Sequence, residues 1–179
     1  MTEQDLVTGC IQGHAKYQQA LFQRFAGKML VVCMRYSRHQ MEAEDILQDA
    51  FIKVFEHLEQ FQSKGSLEGW IRRIVVNTAL KTFDRKSVTQ EQIGIDPAWD
   101  TPDTAPIGDM QLHAEDLLRI IQTLPEGYRV VFNLYAIEGY SHQEIAEMLG
   151  IQESTSRSQL VKARKYLQTQ VQALQKVAV

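Results

Sequence analysis

Apolar residues recur at helical spacing through most of the N-terminal half of the chain, over residues 6–83. The pattern is interrupted near Gly27, around residues 37–40 and at residues 62–66, so it predicts roughly four helices. No strand-like alternation of apolar and polar residues persists anywhere in the chain. The pattern therefore predicts an all-α fold.

The helical periodicity disappears over residues 87–108 and returns at Met110. Three of the four prolines fall in this interval, at Pro97, Pro102 and Pro106. We therefore predict a flexible acidic linker at residues 88–109, between small helical domains at residues 1–87 and 110–179. Further along, Pro125 suits the first turn of a new helix.

Residues 141–166 have the pattern of a helix-turn-helix. Ser141 and Glu144 have the spacing of a capping box at a helix start, and Gly150 permits a strained turn without a steric penalty. After the turn, helical spacing predicts one packed stripe, made of Ser156, Leu160, Ala163 and Leu167. The opposite side is basic, which predicts a recognition helix for the major groove of DNA. Taken alone, the segment also fits a solvated amphipathic helix.

Composition adds little to this picture beyond excluding disorder and collagen. The 179 residues are 44% hydrophobic and 23% charged, as in ordinary globular proteins. No apolar run approaches twenty residues and no signal-peptide pattern is present, so we expect a cytoplasmic protein without membrane insertion. Cys10 and Cys33 are too few for a disulfide framework. We expect buried free thiols rather than a metal site, although His14 and His39 lie nearby.

The formal net charge of −3 conceals strong segregation of charge along the chain. Residues 42–59 carry six acids against one base, and residues 91–116 carry seven acids and no base. In contrast, residues 72–86 carry five bases against one acid, and residues 157–165 carry four bases and no acid. Two basic patches separated by acidic stretches can attract phosphate locally, while the acidic surface can meet a basic partner protein.

Three segments together resemble bacterial RNA polymerase sigma factors of the extracytoplasmic-function group of the sigma-70 family. They are AEDILQDAFIKVFEHLEQF from residue 43, SLEGWIRRIVVNTALKTFDRK from residue 66 and LPEGYRVVFNLYAIEGYSHQEIAEMLGI from residue 124. The resemblance covers nearly the whole chain. It implies that the first two segments bind core polymerase and the minus-ten promoter element, and that the third belongs to the domain that binds the minus-thirty-five element.

The resemblance also implies roles for individual residues of the N-terminal domain. A polar stripe is expected to dock on the clamp helices of the polymerase large subunit, through Asp45, Gln48, Asp49 and Lys53; a merely solvated face is the alternative. The residues expected at the minus-ten element are Lys64, Arg72, Arg73, Asn77, Lys81, Arg85 and Lys86. Among these, the cations would neutralise phosphates and Asn77 would lie near the single strand. The loop at residues 62–69 matches the place where the family captures an unstacked base. We expect Trp70 to pack in the core rather than to act as a melting wedge.

In the second domain, the residues expected at the minus-thirty-five element are Thr155, Arg157, Ser158, Val161, Lys162, Arg164 and Lys165. The chain departs from the family pattern at three nearby positions. Gln159 stands where many relatives have arginine, Gln152 replaces a small polar cap, and Ser154 stands where glycine is common. The loss of arginine at 159 is expected to remove a phosphate contact.

These observations predict a non-catalytic subunit that directs RNA polymerase to promoters, with minus-ten capture by the first domain and minus-thirty-five recognition by the second. Its expected partners are core RNA polymerase, promoter DNA and an anti-sigma factor. The sequence contains no phosphate-binding loop, metal-ligand set or nucleophile-base pair, so no cofactor and no catalytic residue is predicted. Two alternatives stay open: a stand-alone helix-turn-helix regulator, and a helical adaptor that binds only protein.

Overall fold

The computed structural model describes residues 2–90 and 114–177, with side chains described in residues 2–83 and 114–174. All regular structure within these ranges is helical, which confirms the predicted fold class. The chain divides into two compact units, Met1–Thr82 and Phe83–Val179.

The N-terminal half contains four α-helices, as predicted. They are α1 (Glu3–Ile11), α2 (Ala15–Tyr36), α3 (Gln40–His57) and α4 (Leu67–Gln90), with a 3₁₀ turn (Leu58–Gln60) after α3. Helix α1 begins at a capping box: the Thr2 hydroxyl accepts from the Asp5 amide at 3.1 Å, and the Asp5 carboxylate accepts from the Thr2 amide at 2.8 Å. These bonds satisfy donors that the first helical turn leaves without backbone partners.

The predicted break near Gly27 is wrong, because α2 continues through this residue. The chain instead breaks at residues 12–14, where Gly13 has φ +76°. A glycine inside a helix costs about 1 kcal/mol relative to alanine. Phe25 and Met29 flank Gly27 and are only 2% and 1% exposed. Burying each such side chain contributes about 1.5–3 kcal/mol, which outweighs the cost of the glycine.

The core of the first unit is built from apolar stripes on these helices. Leu21 from α2, Val54 from α3, and Ile71 and Val75 from α4 are completely buried. A charged pair also joins α2 to α4, because the Lys28 ammonium donates to the Glu68 carboxylate at 2.7 Å. The helices are thereby held in one arrangement that fixes which faces of α3 and α4 remain exposed.

Both cysteines are buried free thiols, as the sequence predicts. Burial raises the pKa of the Cys33 thiol to about 12 and also raises that of Cys10. The nucleophilic thiolate form is therefore suppressed at both positions near neutral pH.

Helix α4 continues through residues 88–90, which the loss of periodicity had assigned to the linker. The rest of the predicted linker, with its three prolines, lies outside the described residues, and so does the expected return of periodicity at Met110. The second unit is therefore described over Phe83–Gln90, the end of α4, and again from Ala114 onward.

The second unit contains four further α-helices in its described part. They are α5 (Ala114–Thr123), α6 (Glu126–Phe132), α7 (His142–Leu149) and α8 (Glu153–Val177), with a π-helical turn (Asn133–Ile137) after α6. Pro125 is the N-cap of α6, directly before the helix. Helices α5 and α8 share a core made of Ile120, Ile121, Leu124, Ala163, Leu167 and Val171. This core anchors one side of α8 and leaves its other side available.

Candidate nucleic-acid interfaces

Helix α7 and the turn after it have the local structure that the sequence predicts for a helix-turn-helix. The Ser141 hydroxyl accepts from the Glu144 amide at 3.2 Å, and the Glu144 carboxylate accepts from the Ser141 amide at 2.8 Å. The Ser141 amide and hydroxyl both donate to this carboxylate, and these two bonds hold the pKa of Glu144 below its ordinary value. Helix α7 ends at Gly150, which has φ +66° in the left-handed region that glycine adopts without strain. The capping box and the glycine turn are both confirmed.

The packed stripe of α8 is also where helical spacing places it. Leu160, Ala163 and Leu167 are buried, and Ser156 is completely buried. The Ser156 hydroxyl lies 2.9 Å from Nδ1 of His142, the first residue of α7. A buried hydroxyl needs such a partner, and here the partner ties the start of α7 to the start of α8.

The outer face of α8, which we define as Arg157, Ser158, Val161, Lys162 and Arg164, is exposed. Val161, the apolar member of this face, is 63% exposed. Thr155 is half-buried, and its carbonyl accepts from the Ser158 hydroxyl at 3.0 Å.

Each cation of the outer face already contacts another side chain. Arg157 forms a salt bridge with Glu153. The Lys162 ammonium lies 5.9 Å from the centre of the Tyr128 ring, and the Arg164 guanidinium lies 5.8 Å from the centre of the Tyr135 ring. Tyr128 is on α6 and Tyr135 is on the π-helical turn, so these contacts also connect α8 to the preceding elements.

Two other residues of α8 do not join the outer face. The Lys165 ammonium is buried without a hydrogen-bond partner among the described side chains, so the structure does not support the predicted DNA contact at Lys165. The spacing of apolar residues along α8 does not account for the burial of the Lys165 ammonium. Gln159 is half-buried beside α6, where its Nε2 would be 3.3 Å from a Cβ added at Gly127. The Gln159 side chain therefore lies close to the backbone of α6 at Gly127.

The loop before α4 forms an open cavity of about 410 Å³. Its lining includes Phe61, Gln62, Lys64, Ser66, Trp70 and Arg73. The Ser66 hydroxyl accepts from the Gly69 amide at 3.1 Å and so caps α4, as predicted. The loop turns through Ser63 and Gly65, both with positive φ.

Trp70 is not the core residue that its apolar neighbours predict. It is half-buried, its ring centroid lies 5.6 Å from that of Phe61, and it lines the cavity. The sequence contains a signal that would have found this position. Trp70, Arg73, Asn77 and Lys81 are spaced at i, i+3, i+7 and i+11, which places them on one side of a helix. We call these four residues the α4 face.

The structure places the predicted minus-ten residues on different sides of α4. Arg73, Asn77 and Lys81 are exposed on the α4 face, and exposed Lys64 lines the cavity beside it. Arg72 is half-buried and lies on another side of α4. Arg85 and Lys86 belong to α4, but their side chains lie outside the described residues.

The predicted polymerase stripe on α3 is only partly exposed. Asp45, Gln48 and Asp49 are exposed, but Lys53 is half-buried and its ammonium donates to the Thr78 hydroxyl at 3.1 Å. Lys53 therefore joins α3 to α4 instead of extending the stripe. Met41 and Ile52, which the prediction missed, are 72% and 57% exposed on the same side of α3. Their spacing relative to Asp45 and Gln48, at i−4 and i+4, is the signal that would have found them.

No helix within residues 2–90 and 114–177 is long and apolar enough to cross a membrane. In the same parts of the chain, no three histidine, cysteine or acidic side chains lie close enough together to hold a metal ion.

The exposed cationic helix after a glycine turn and the cationic face beside an aromatic cavity are both surfaces whose charge and shape suit nucleic acid. Residues 21–89 match the family model for Sigma-70 region 2, and residues 114–167 match the model for Sigma-70, region 4. The chain belongs to the sigma-70 family, in the extracytoplasmic-function group, and acts as a sigma factor that directs RNA polymerase to promoters. The stand-alone regulator is not favoured, because the N-terminal match includes α3 and the α4 face.

Individual relatives match this chain over most of its length. The chain is 29% identical to the ECF RNA polymerase sigma-E factor of Haemophilus influenzae, over 97% of both chains. It is 33% identical to the ECF RNA polymerase sigma factor SigE of Mycolicibacterium smegmatis, over 82% of this chain and 58% of that protein. Among solved structures, the fold resembles that of the sigma factor RpoE of Bartonella quintana, crystallised with the anti-sigma factor NepR. That match has a TM-score of 0.51 at 20% identity and covers 84% of this chain and 94% of the other.

Proposed function

We propose that the two parts of this sigma factor divide promoter recognition between them. The N-terminal domain, residues 1–90 with α4 complete, binds core polymerase and captures the minus-ten strand. The domain that begins before α5 and ends with α8 binds the minus-thirty-five duplex. The observation that carries this proposal is the α4 face, where a tryptophan, two cations and an amide line up beside an open cavity.

The chemistry of that surface supports the proposed capture of the minus-ten strand. Phe61 and Trp70 supply aromatic area on which an unstacked base can lie, and stacking is tolerant of base identity. Arg73, Lys81 and Lys64 supply positive charge for the phosphates, and the Asn77 amide can donate to and accept from a base edge. Unstacking a base costs a few kcal/mol, so these contacts must together offset that cost.

Minus-thirty-five recognition is assigned to the outer face of α8. Arg157 and Ser158 lie near the start of the helix, where recognition helices contact base edges, and Val161 can meet a thymine methyl. Lys162 and Arg164 lie further along, where phosphate contacts are expected. Lys165 is left out of this proposal because its ammonium is buried.

Docking on polymerase is assigned to the exposed side of α3. Asp45 and Asp49 give this side negative charge. Met41 and Ile52 give it exposed apolar area, which a partner protein could bury. A basic amphipathic helix on the polymerase fits this combination, with the charges guiding orientation and association rate.

Further parts of the proposal follow from the family. The chain performs no reaction itself and works in the cytoplasm, where promoter DNA is. An anti-sigma factor is proposed as a further partner, since the related Bartonella protein was crystallised with one.

The test is transcription by purified components. The full chain would be added to core RNA polymerase with a library of genomic promoter fragments. We expect new start sites, and we expect them to be lost when Asn77 and Trp70 are both replaced by alanine. If no new initiation occurs at any of several salt concentrations, the proposal is wrong.

A further inference from the structure

The recognition helix contains one residue whose charge opposes DNA binding. Glu153 is the only acid between residues 153 and 177, a stretch that also holds Arg157, Lys162, Arg164, Lys165 and Lys176. It is in the first turn of α8, and its side chain is 46% exposed. Four residues later Arg157 pairs with it, with a side chain that is 63% exposed. The acid therefore lies on the surface that carries the predicted base contact.

Stability gives little reason for this pair. Exposed ion pairs four residues apart on a helix contribute only marginally, because water solvates both charges and the side chains lose freedom. Phosphates would in addition repel the carboxylate when DNA approaches. A glutamate at this position weakens binding unless the DNA offers it a hydrogen-bond donor.

The major groove offers such a donor. The N4 amino group of cytosine donates to carboxylates, whereas guanine presents only the acceptors O6 and N7 there, which arginine can bind in bidentate fashion. Arg157 has five N–H donors, so pairing with Glu153 leaves donors free for guanine and restricts where the guanidinium points. Both residues are at the N-terminal end of the helix, the part that contacts base edges.

We infer that Glu153 is a specificity-determining residue, which reads a cytosine in the minus-thirty-five duplex next to a guanine read by Arg157. The inference rests on the proposed role of α8 in that duplex. Glu153 disfavours guanine and thymine, which present only acceptors at its position, and the N7 acceptor beside the amino group of adenine leaves cytosine as the preferred base. It also keeps Arg157 from binding phosphate without regard to sequence. It therefore lowers general affinity for DNA and raises selectivity.

A structural role for Glu153 predicts different behaviour. An acid in the first turn of a helix interacts favourably with the helix dipole. If this were its only role, removing the charge would lower the thermal stability of the domain and leave the order of preferred DNA sequences unchanged.

The experiment compares Glu153→Gln and Glu153→Ala with wild type, each as the full chain assembled with core polymerase. Glu147→Gln is the matched control, because Glu147 is an exposed acid on α7 and its replacement removes the same charge. Holoenzymes would select from duplexes randomised in the upstream element, and affinities for selected and unrelated duplexes would be measured over a range of salt.

We expect wild type to select a guanine and a neighbouring cytosine. Both Glu153 variants should lose about tenfold in preference for cytosine, and Glu153→Gln should gain preference for adenine, which amides read. Their binding to unrelated duplexes should strengthen, with a salt dependence steeper by about one unit as Arg157 becomes available to a phosphate. Glu147→Gln should keep the wild-type preferences.

Unchanged base preferences in both Glu153 variants would overturn the inference and leave the proposed function intact. If wild type itself shows no upstream preference, both the inference and the assignment of α8 to the minus-thirty-five element are wrong.

Discussion

The imidazole ring of His142 is stacked on the ring of Tyr135, with centroids 4.5 Å apart and 19° between the ring planes. The same imidazole contacts the buried hydroxyl of Ser156, and Arg164 lies over the Tyr135 ring. The π-helical turn, α7 and α8 therefore meet in one polar and aromatic cluster. The angle between the two helices of the helix-turn-helix depends on this cluster as well as on the apolar core.

The first prediction concerns pH. Burial lowers the pKa of His142, the charge of Arg157 lowers it further, and Glu153 partly opposes this effect. The unfolded chain, with an ordinary pKa near 6.5, therefore takes up the proton more readily than the folded one. Stability should be unaffected by His142 well above pH 6.5 and should fall as the pH drops through this value.

Thermal unfolding of the full chain between about pH 7.5 and 5.5 checks this prediction. The loss of stability on acidification should be smaller in His142→Gln, which cannot be protonated. Equal pH dependence in the two proteins would show that His142 is not responsible.

The second prediction concerns the hydroxyl that His142 contacts. Ser156→Ala removes a buried hydrogen bond and should lower the free energy of unfolding by about 0.5–1.5 kcal/mol. Ser158→Ala is the matched control, since Ser158 is exposed and its removal should change stability by less than about 0.5 kcal/mol. Urea unfolding monitored by circular dichroism gives both values. A cost at Ser158 equal to that at Ser156 would contradict the assigned role of the buried contact.

The third prediction separates stability from polymerase binding on α3. Lys53→Ala removes the hydrogen bond to Thr78 and should lower the free energy of unfolding by about 1 kcal/mol, with little change in affinity for core polymerase. The double variant Asp45→Asn and Asp49→Asn should keep the stability of the wild type. Its association with core polymerase should be weaker and should depend less on salt. Binding to core polymerase and thermal unfolding would be measured on the same samples. If Lys53→Ala weakens polymerase binding more than the aspartate variant does, the interface is placed wrongly.

The fourth prediction compares two adjacent arginines on α4. Arg73 is on the α4 face and Arg72 is not, although both have the same charge. Arg73→Ala should weaken binding of the holoenzyme to a single-stranded minus-ten oligonucleotide and reduce the salt dependence by about one unit. Arg72→Ala should leave the salt dependence unchanged. The opposite order of effects would mean that the DNA follows another side of the helix.

The sequence predicted the helices, the capping box, the glycine turn and the buried stripe of α8 because these depend on residues close together in the chain. Two of the wrong predictions concern side chains whose surroundings depend on other parts of the chain. Lys53 looked like part of an exposed stripe, but its partner Thr78 is 25 residues away. Trp70 looked like a core residue because periodicity indicates an apolar face without showing whether another element covers it. Here the loop leaves the ring partly open to the cavity.

The aromatic rings beside Lys162 and Arg164 also affect how much side-chain entropy these residues lose when DNA binds. A long cationic side chain loses up to about 2 kcal/mol of rotamer freedom when it is fixed. Tyr128 and Tyr135 already restrict these two side chains in the free protein, so part of that loss occurs on folding rather than on association. The recognition helix therefore meets the duplex with cations that are partly ordered beforehand, and the favourable phosphate contacts are opposed by less entropy.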